Sequence, residues 1–214
     1  MTSERTRLRM IEHLRQEGIT DERVLAAMSE IPRHAFVDEG IASRAYEDTP
    51  LPIGLGQTIS SPFIVALMTQ WLLEKGPRER VLEIGTGCGY QTAVLAKLAK
   101  EVYTLERVAA LMDKARRHLR DLRFYNVRFK HADGYAGYAE GAPYDGILST
   151  ASASHTPEAL KEQLAVGGRL VLPVGTDEQW LYVIDRTDKG FTEQRREAVR
   201  FVPLVPGLIG RAHV

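Results

Sequence analysis

The segment VLEIGTGCGYQ, Val81 to Gln91, determines the predicted fold. Its first four residues read as a buried strand, and three glycines follow at once: Gly85, Gly87 and Gly89. A helical pattern begins at about Tyr90. Glycines between a strand and a helix let the backbone approach a ligand closely, at the carboxyl edge where open α/β sheets bind nucleotides. We therefore expect a ligand-binding loop here.

The chain around this loop repeats strand, turn and helix, as is typical of a parallel sheet covered by helices. The predicted strands are Val81–Ile84, Val102–Leu105, Val127–His131, Gly146–Thr150 and Leu170–Pro173, with helices from about Tyr90, Ala109 and Pro157, the last capped by Thr156. Past Gly175 the period drops toward two, which predicts edge strands at Trp180–Ile184 and Ala198–Val202, at least one of them antiparallel. The fold class is α/β, with a mostly parallel seven-stranded sheet and helices on both faces.

The first part of the chain predicts a helical extension. Apolar residues at helical spacing between Leu8 and Ile31 indicate two short helices, with Thr20 as an N-cap. The prolines and glycines of residues 50–56 predict an irregular loop, and Ser61 with Pro62 predicts a helix start. We expect one domain over 1–214: helices and loop at 1–78, an α/β core at 79–175 and edge strands at 176–214.

Composition narrows the possible partners. Twenty-eight basic side chains balance 28 acidic ones, so no net field attracts nucleic acid or an anionic membrane. Cys88 is the only cysteine and the histidines are scattered, so we expect no disulfide and no metal. No signal-like or membrane-spanning apolar stretch is visible, which predicts a cytoplasmic protein, and we expect a monomer.

The glycine spacing indicates which nucleotide the loop binds. The order is G-x-G-x-G, and Tyr90 stands where a dinucleotide loop needs its third glycine; a phosphate loop would need a following lysine. Glu106, 21 residues beyond Gly85, ends the second strand, where a carboxylate binds ribose hydroxyls. These features favour S-adenosylmethionine, which has no phosphate. The predicted cofactor-binding residues are Glu83, Gly85, Thr86, Gly87, Gly89, Glu106, Asp133 and Gly134.

Two alternatives stay open for these residues. The glycines are also compatible with a plain strand-to-helix turn. We expect the carboxylate of Glu83 near the cationic sulfonium and the amino group of the cofactor; the alternative is a buried acid that caps nearby backbone.

The loop LPIGLGQTISSP, Leu51 to Pro62, resembles the signature of protein-L-isoaspartate O-methyltransferases. Further similar stretches are EIPRHAFV at Glu30–Val37, VLEIGTGCGYQTAVLA at Val81–Ala96, the acid in TLER, DG at Asp133, APYD at Ala142–Asp145 and EAVRFVPL at Glu197–Leu204. The resemblance implies a Rossmann-like class I methyltransferase that esterifies the free α-carboxyl of L-isoaspartyl residues in damaged proteins. The ester then closes to a succinimide, which reopens partly to normal aspartate.

This chemistry explains the lack of an obvious catalytic triad. The nucleophile is the substrate carboxylate, with an ordinary pKa of roughly 3.5 to 4, so it needs no general base at neutral pH. The resemblance implies that Ser60 is the active-site residue, and we assign it to orienting that carboxylate. Thr58 and Ile59 should line the same cleft, with Thr150 and Ala151 beneath the methyl group. The alternative is that Ser60 or Ser61 only caps the following helix.

Two stretches depart from the family pattern. Cys88 stands where we expect serine, and Ser152–His155 replaces a proline-containing run. A thiol at a helix N-terminus can have a lowered pKa and be sensitive to oxidation, or Cys88 can simply fill a tight turn. His155 either contacts the peptide or is a solvated loop residue.

Three other functions remain in competition. The basic run Arg116, Arg117, Arg120, Arg123, Arg128 and Lys130 is compatible with RNA methylation or with a solvated helix face. A cofactor-binding scaffold without chemistry is disfavoured by the intact GQTIS and GTGCG motifs, and a nicotinamide-dependent oxidoreductase by the spacing at Tyr90.

Overall fold

The computed structural model describes residues 4–211. The helices are α1 (Glu4–Gln16), α2 (Glu22–Glu30), α3 (Pro62–Leu73), α4 (Tyr90–Leu98), α5 (Ala109–Asp121) and α6 (Glu158–Glu162). The strands are β1 (Leu51–Gly54), β2 (Gln57–Ile59), β3 (Arg78–Ile84), β4 (Ala99–Glu106), β5 (Val127–His131), β6 (Tyr144–Ser149), β7 (Leu164–Gly175), β8 (Gln179–Thr187) and β9 (Gly190–Val199). Within the described residues, no helix is long and apolar enough to cross a membrane.

The central sheet has seven strands in the order β5-β4-β3-β6-β7-β8-β9. The first five strands in this order are parallel, and β8 is antiparallel to both β7 and β9. The predicted α/β class, the strand number and the antiparallel closing strand are confirmed. Because β3 lies inside the sheet, its carboxyl end opens between β4 and β6, where a ligand is enclosed from both sides.

Successive residues of β3 face opposite sides of the sheet. Val81 joins a buried cluster with Met68 of α3 and Leu95 of α4. Leu82 and Ile84 point the other way, into a cluster that includes Leu160 and Leu164 around α6. Both faces of the strand are therefore covered, and each fully buried aliphatic side chain contributes roughly 1.5–3 kcal/mol.

The stretch before α3 corrects the prediction of an irregular loop. β1 and β2 form an antiparallel hairpin that pairs Leu51 with Ile59. Its turn uses three consecutive residues with positive φ, at Gly54, Leu55 and Gly56. The two glycines thus do not prevent strands but supply the turn that joins them. The predicted α3 is confirmed, with Ser61 as N-cap and Pro62 in its first turn.

Two predicted N-caps are wrong. Asp21, not Thr20, caps α2, because its side chain accepts from the amide of Arg23 while the Thr20 amide donates to Gln70. α6 begins at Glu158, within one residue of the predicted start, but its N-cap is Pro157 and not Thr156, and no side chain caps it.

The last strand also lies earlier in the chain than predicted. β9 ends at Val199, opposite the first residue of β8, because the tight turn before Gly190 fixes the hairpin register. Residues 200–202 therefore leave the sheet.

Candidate active site

The glycine loop after β3 is held in place by close backbone contacts. Gly85 has a φ of +91°, and a Cβ there would lie 2.4 Å from Oγ1 of Thr150. That hydroxyl donates to the carbonyls of Ile84 and Gly85 at 3.0 and 2.8 Å. At Gly89, with φ +93°, a Cβ would lie 2.6 Å from Leu119 of α5. A larger residue at either position would move the loop.

Glu106 connects this loop to the next helix. Its Oε2 accepts from the amide of Gly87 at 2.9 Å, and its Oε1 accepts from the amide of Val108 at 3.0 Å. Each carboxylate oxygen has a second lone pair, so the side chain can still accept hydrogen bonds from a ligand.

A cavity opens over the glycine loop, with about 870 Å³ of empty volume including the part open to solvent. The predicted site residues that line it are Thr58, Ile59, Ser60, Gly85, Thr86, Gly87, Glu106, Gly134, Thr150 and Ala151. We call it the cofactor cavity. Among the described residues its lining contains no lysine and a single arginine, Arg107, so it suits a ligand with a ribose and no phosphates.

A second cavity adjoins the first and lies against the end of β9. Its lining consists of Pro50, Thr58, Ser60, Ser61, Ile64, Thr150, Ala198, Val199, Arg200, Phe201 and Val202. We call it the outer cavity. Four residues line both cavities: Thr58, Ser60, Thr150 and Val202. A group bound in one cavity can therefore meet a group bound in the other only at this shared wall.

The two adjacent serines have different surroundings. Ser61 is the N-cap of α3, and its Oγ accepts from the amide of Ile64 at 3.4 Å. Ser60 lies on the shared wall. Capping is thus performed by Ser61, which leaves the Ser60 hydroxyl for a ligand.

The structure does not bring Glu83 to the cofactor cavity. Its side chain is fully buried on the sheet face that α4 covers, and its Oε1 accepts from the hydroxyls of Thr92 and Thr104 at 2.5 and 2.6 Å. Oε2 has no hydrogen-bond partner within residues 4–211. Burial raises the pKa of Glu83 to about 8. The geometry agrees with the alternative of a buried acid, although its partners are hydroxyls rather than backbone amides.

Two more predicted cofactor residues lie behind the cavity wall. Gly89 is the N-cap of α4, packed on α5. Asp133 follows β5, where its two carboxylate oxygens accept from the amides of Tyr135 and Gly207. Gly134 itself lines the cavity, and a Cβ there would lie 2.5 Å from Ile84, so only glycine fits at this position. Asp133 thus orders the wall around Gly134 instead of forming it.

The segment after β9 contributes wall residues that sequence reasoning missed. Residues 202–205 line the cofactor cavity. The chain continues across the end of the sheet, where Ile209 bonds through its main chain to Arg107 and Ala109. The stretch EAVRFVPL, Glu197–Leu204, resembles the family and covers the start of this segment, but its hydrophobic pattern does not predict a place in a cavity wall.

Ser152, in the run that departs from the family pattern, holds this segment. Its main chain exchanges hydrogen bonds with Val202 and Leu204, at 2.9 and 2.7 Å, and its Oγ donates to Gly175 at the end of β7. His155 is exposed and lies 3.0 Å from the Ser154 hydroxyl. The hydrogen bonds of Ser152 therefore hold this part of the cavity wall in place.

Cys88 lines the cofactor cavity but is almost fully buried. Burial raises the pKa of its thiol to about 11. This is opposite to the lowered pKa that a position near a helix N-terminus suggests, so the geometry favours the reading of a small side chain in a tight turn.

The sheet order, the glycine loop at the end of β3 and the carboxylate at the end of β4 define a class I methyltransferase that uses S-adenosylmethionine. Residues 5–208 match the family model of protein-L-isoaspartate(D-aspartate) O-methyltransferase. The chain belongs to this family.

Relatives with known names agree over nearly the whole chain. The protein-L-isoaspartate O-methyltransferase of Methylobacillus flagellatus is 60% identical over 211 residues, 97% of this chain and 95% of that protein. The enzyme of the same name from Dechloromonas aromatica is 57% identical over 208 residues, covering 97% and 96%.

Solved structures show the same similarity. A structure from Plasmodium falciparum, described as a putative protein-L-isoaspartate O-methyltransferase in complex with S-adenosyl-L-homocysteine, has a TM-score of 0.82 and 30% identity, covering 93% of this chain and 98% of that one. Another protein-L-isoaspartate O-methyltransferase has a TM-score of 0.85 and 30% identity, covering 94% of this chain and 67% of that one.

Proposed function

We propose that this chain is a protein repair enzyme that transfers a methyl group from S-adenosylmethionine to the free α-carboxyl of L-isoaspartyl residues in damaged proteins and peptides. The methyl ester converts through a succinimide toward normal aspartyl, and S-adenosyl-L-homocysteine is the other product. The observation that carries the proposal is the shared wall: the cavity with the glycine loop and the outer cavity meet at Ser60 and Thr150.

The cofactor cavity supplies binding and orientation. Glu106 would accept hydrogen bonds from the ribose hydroxyls, and the main chain of Gly85, Thr86 and Gly87 would lie against the ligand, with Gly134 also in the lining. When bound, S-adenosylmethionine supplies an activated methyl group on a positively charged sulfur.

The outer cavity would hold the isoaspartyl peptide, with Thr58, Ser60 and Thr150 on the wall that it shares with the cofactor cavity. Ile59 and Ala151 lie on the cofactor side of this wall. Ser60 would donate a hydrogen bond to the substrate carboxylate and so fix which oxygen faces the methyl group. Because this carboxylate is already ionised at neutral pH, alignment and exclusion of water are the work left to the protein.

Arg200 gives the outer cavity its charge. It is the one ionisable residue in the lining of this cavity, and within residues 4–211 no ion pair joins it to a carboxylate. A lone cation at the rim attracts an anionic substrate and stabilises its carboxylate during encounter.

The test is to incubate the protein with methyl-labelled cofactor and two peptides that differ only in isoaspartate versus aspartate. We expect label in the isoaspartyl peptide alone, and release of that label as methanol in base, as an ester requires. Labelling of both peptides or of neither would contradict the assignment. Base-stable label would indicate methylation of nitrogen instead.

We propose further that the chain acts as a single-domain monomer in the cytoplasm and does not bind nucleic acid. The basic side chains between Arg116 and Lys130 do not act as one surface for RNA. Arg128 pairs with Glu101, and Arg116 lies over the ring of Phe129. Light scattering and a binding assay with RNA at low salt test these points, and RNA binding that weakens steeply with salt would contradict the second.

A further inference from the structure

Arg33 is a fully buried arginine behind the wall of the cofactor cavity. Its Nε donates to the carbonyl of Ala45 at 2.6 Å, and its Nη2 donates to the carbonyl of Ser60 at 2.9 Å. The guanidinium carbon lies 4.8 Å from the ring centre of Tyr90. Since Ser60 and Tyr90 both line the cavity, Arg33 contacts its wall from outside.

The burial of this cation is costly. Burial lowers the pKa of the Arg33 guanidinium, no salt bridge joins it to a carboxylate within residues 4–211, and its Nη1 has no hydrogen-bond partner there. A buried charge held by neutral groups destabilises the fold, and an apolar side chain would avoid that cost. What an apolar side chain lacks is a rigid fork that holds two carbonyls at once.

The carbonyl that Arg33 holds belongs to a residue between two regular elements. β2 ends at Ile59 and α3 begins at Pro62, so Ser60 lies in the joint between them. Arg33 ties this joint to Ala45, in the chain that precedes the hairpin.

We propose that Arg33 is a positioning residue for methyl transfer: it fixes the main chain at Ser60 and thereby the place of the Ser60 hydroxyl on the shared wall. This inference rests on the proposed role of Ser60 as the group that orients the substrate carboxylate. The guanidinium itself does not touch substrate.

The test combines Arg33→Lys with Ser60→Ala in a double-mutant cycle. A lysine ammonium keeps the charge but lacks the fork that holds both carbonyls, so we expect kcat to fall at least about tenfold while the Kd for S-adenosyl-L-homocysteine stays unchanged. In the Ser60→Ala background the same change should alter kcat by less than about twofold, because the hydroxyl that it positions is gone.

Arg78→Lys is the matched control. Arg78 is also buried, donates from Nε and Nη1 to the carbonyls of Leu72 and Gly167, and leaves its Nη2 unpaired among the described residues. It lies at the start of β3, at the opposite edge of the sheet from the cavities. This variant should lower Tm and leave kcat unchanged.

Two outcomes would overturn the proposal for Arg33. One is an equal loss of kcat from Arg33→Lys with and without Ser60; the other is a lowered Tm with unchanged kcat, as in the control. If the lysine variant does not fold, the double-mutant cycle with Ser60→Ala is repeated with Arg33→Gln, which has one donor group and no charge. The same two outcomes then overturn the proposal. If Ser60→Ala alone leaves kcat unchanged, the role of Ser60 fails first, and that single measurement identifies this case.

Discussion

Glu83→Gln should change how the stability of the protein depends on pH. Burial raises the pKa of Glu83 from its ordinary 4.5 to about 8; the hydroxyls of Thr104 and Thr92 oppose the rise, and the charge of Glu106 adds to it. Between these two pKa values the folded chain keeps a proton that the unfolded chain has released. The free energy of unfolding therefore falls as pH rises through this window.

The magnitude follows from the two pKa values. Each tenfold difference in proton affinity corresponds to about 1.4 kcal/mol, so the difference between 4.5 and 8 corresponds to at most about 5 kcal/mol of stability. Glutamine keeps an oxygen acceptor for the hydroxyls of Thr92 and Thr104 but does not ionise. Relative to wild type, the variant should gain stability with a slope approaching about 1.4 kcal/mol per pH unit between roughly pH 5 and 8.

Urea unfolding of both proteins at a series of pH values measures this slope. Glu101→Gln on the neighbouring strand is the control, since hydrogen bonding to Arg128 holds the pKa of Glu101 below its ordinary value. Its stability difference from wild type should be constant over the same window. A constant difference for Glu83→Gln as well would refute the reasoning, because the carboxyl would then be ionised in the folded protein at neutral pH.

Four further predictions concern the two cavities. Ser60→Ala should lower kcat about 10- to 100-fold, the loss expected for a hydrogen bond to a charged group, with little change in cofactor affinity. The control Ser61→Ala should mainly lower the free energy of unfolding, by about 1 kcal/mol. If Ser60→Ala weakens cofactor binding as much as it lowers kcat, Ser60 does not act on the substrate side. Glu106→Ala should weaken cofactor binding about 10- to 100-fold in calorimetry, and unchanged affinity would contradict the ribose assignment. Arg200→Ala should raise the peptide KM several-fold at low salt and less at high salt, and a salt-independent KM would count against it. Cys88 should react with a thiol reagent at pH 8 far more slowly in the folded than in the urea-unfolded protein, because its pKa is about 11; equal rates would show that the thiol is accessible.

Much of the fold could be predicted because it depends on local pattern. The apolar run before Gly85 and the helical pattern after it predict β3 and α4, and Ser61 with Pro62 predicts the start of α3. The β1–β2 hairpin does not follow from local pattern, because glycine is typical both of a break and of a tight turn. Which of the two occurs here depends on the pairing of Leu51 with Ile59, which lie eight residues apart.

The site was harder to predict because its walls come from distant parts of the chain. Residues 202–205 reach the cofactor cavity through hydrogen bonds to Ser152, about 50 positions earlier in sequence. Arg33 reaches Ser60 across 27 positions. No pattern in a single sequence predicts either of these long-range contacts.

The three carboxylates predicted at the cofactor site show what such a pattern does and does not indicate. Glu83, Glu106 and Asp133 all accept hydrogen bonds from the protein, and each connects a strand of the sheet to another part of the chain. An acid near the end of a strand therefore indicates a carboxylate that orders the edge of the sheet, whether or not a ligand binds there. Only Glu106 of the three also lines the cavity. Because Glu106 lines the cavity and its two oxygens also accept from the amides of Gly87 and Val108, ligand binding at the ribose site and the order of the glycine loop should depend on one another through this residue.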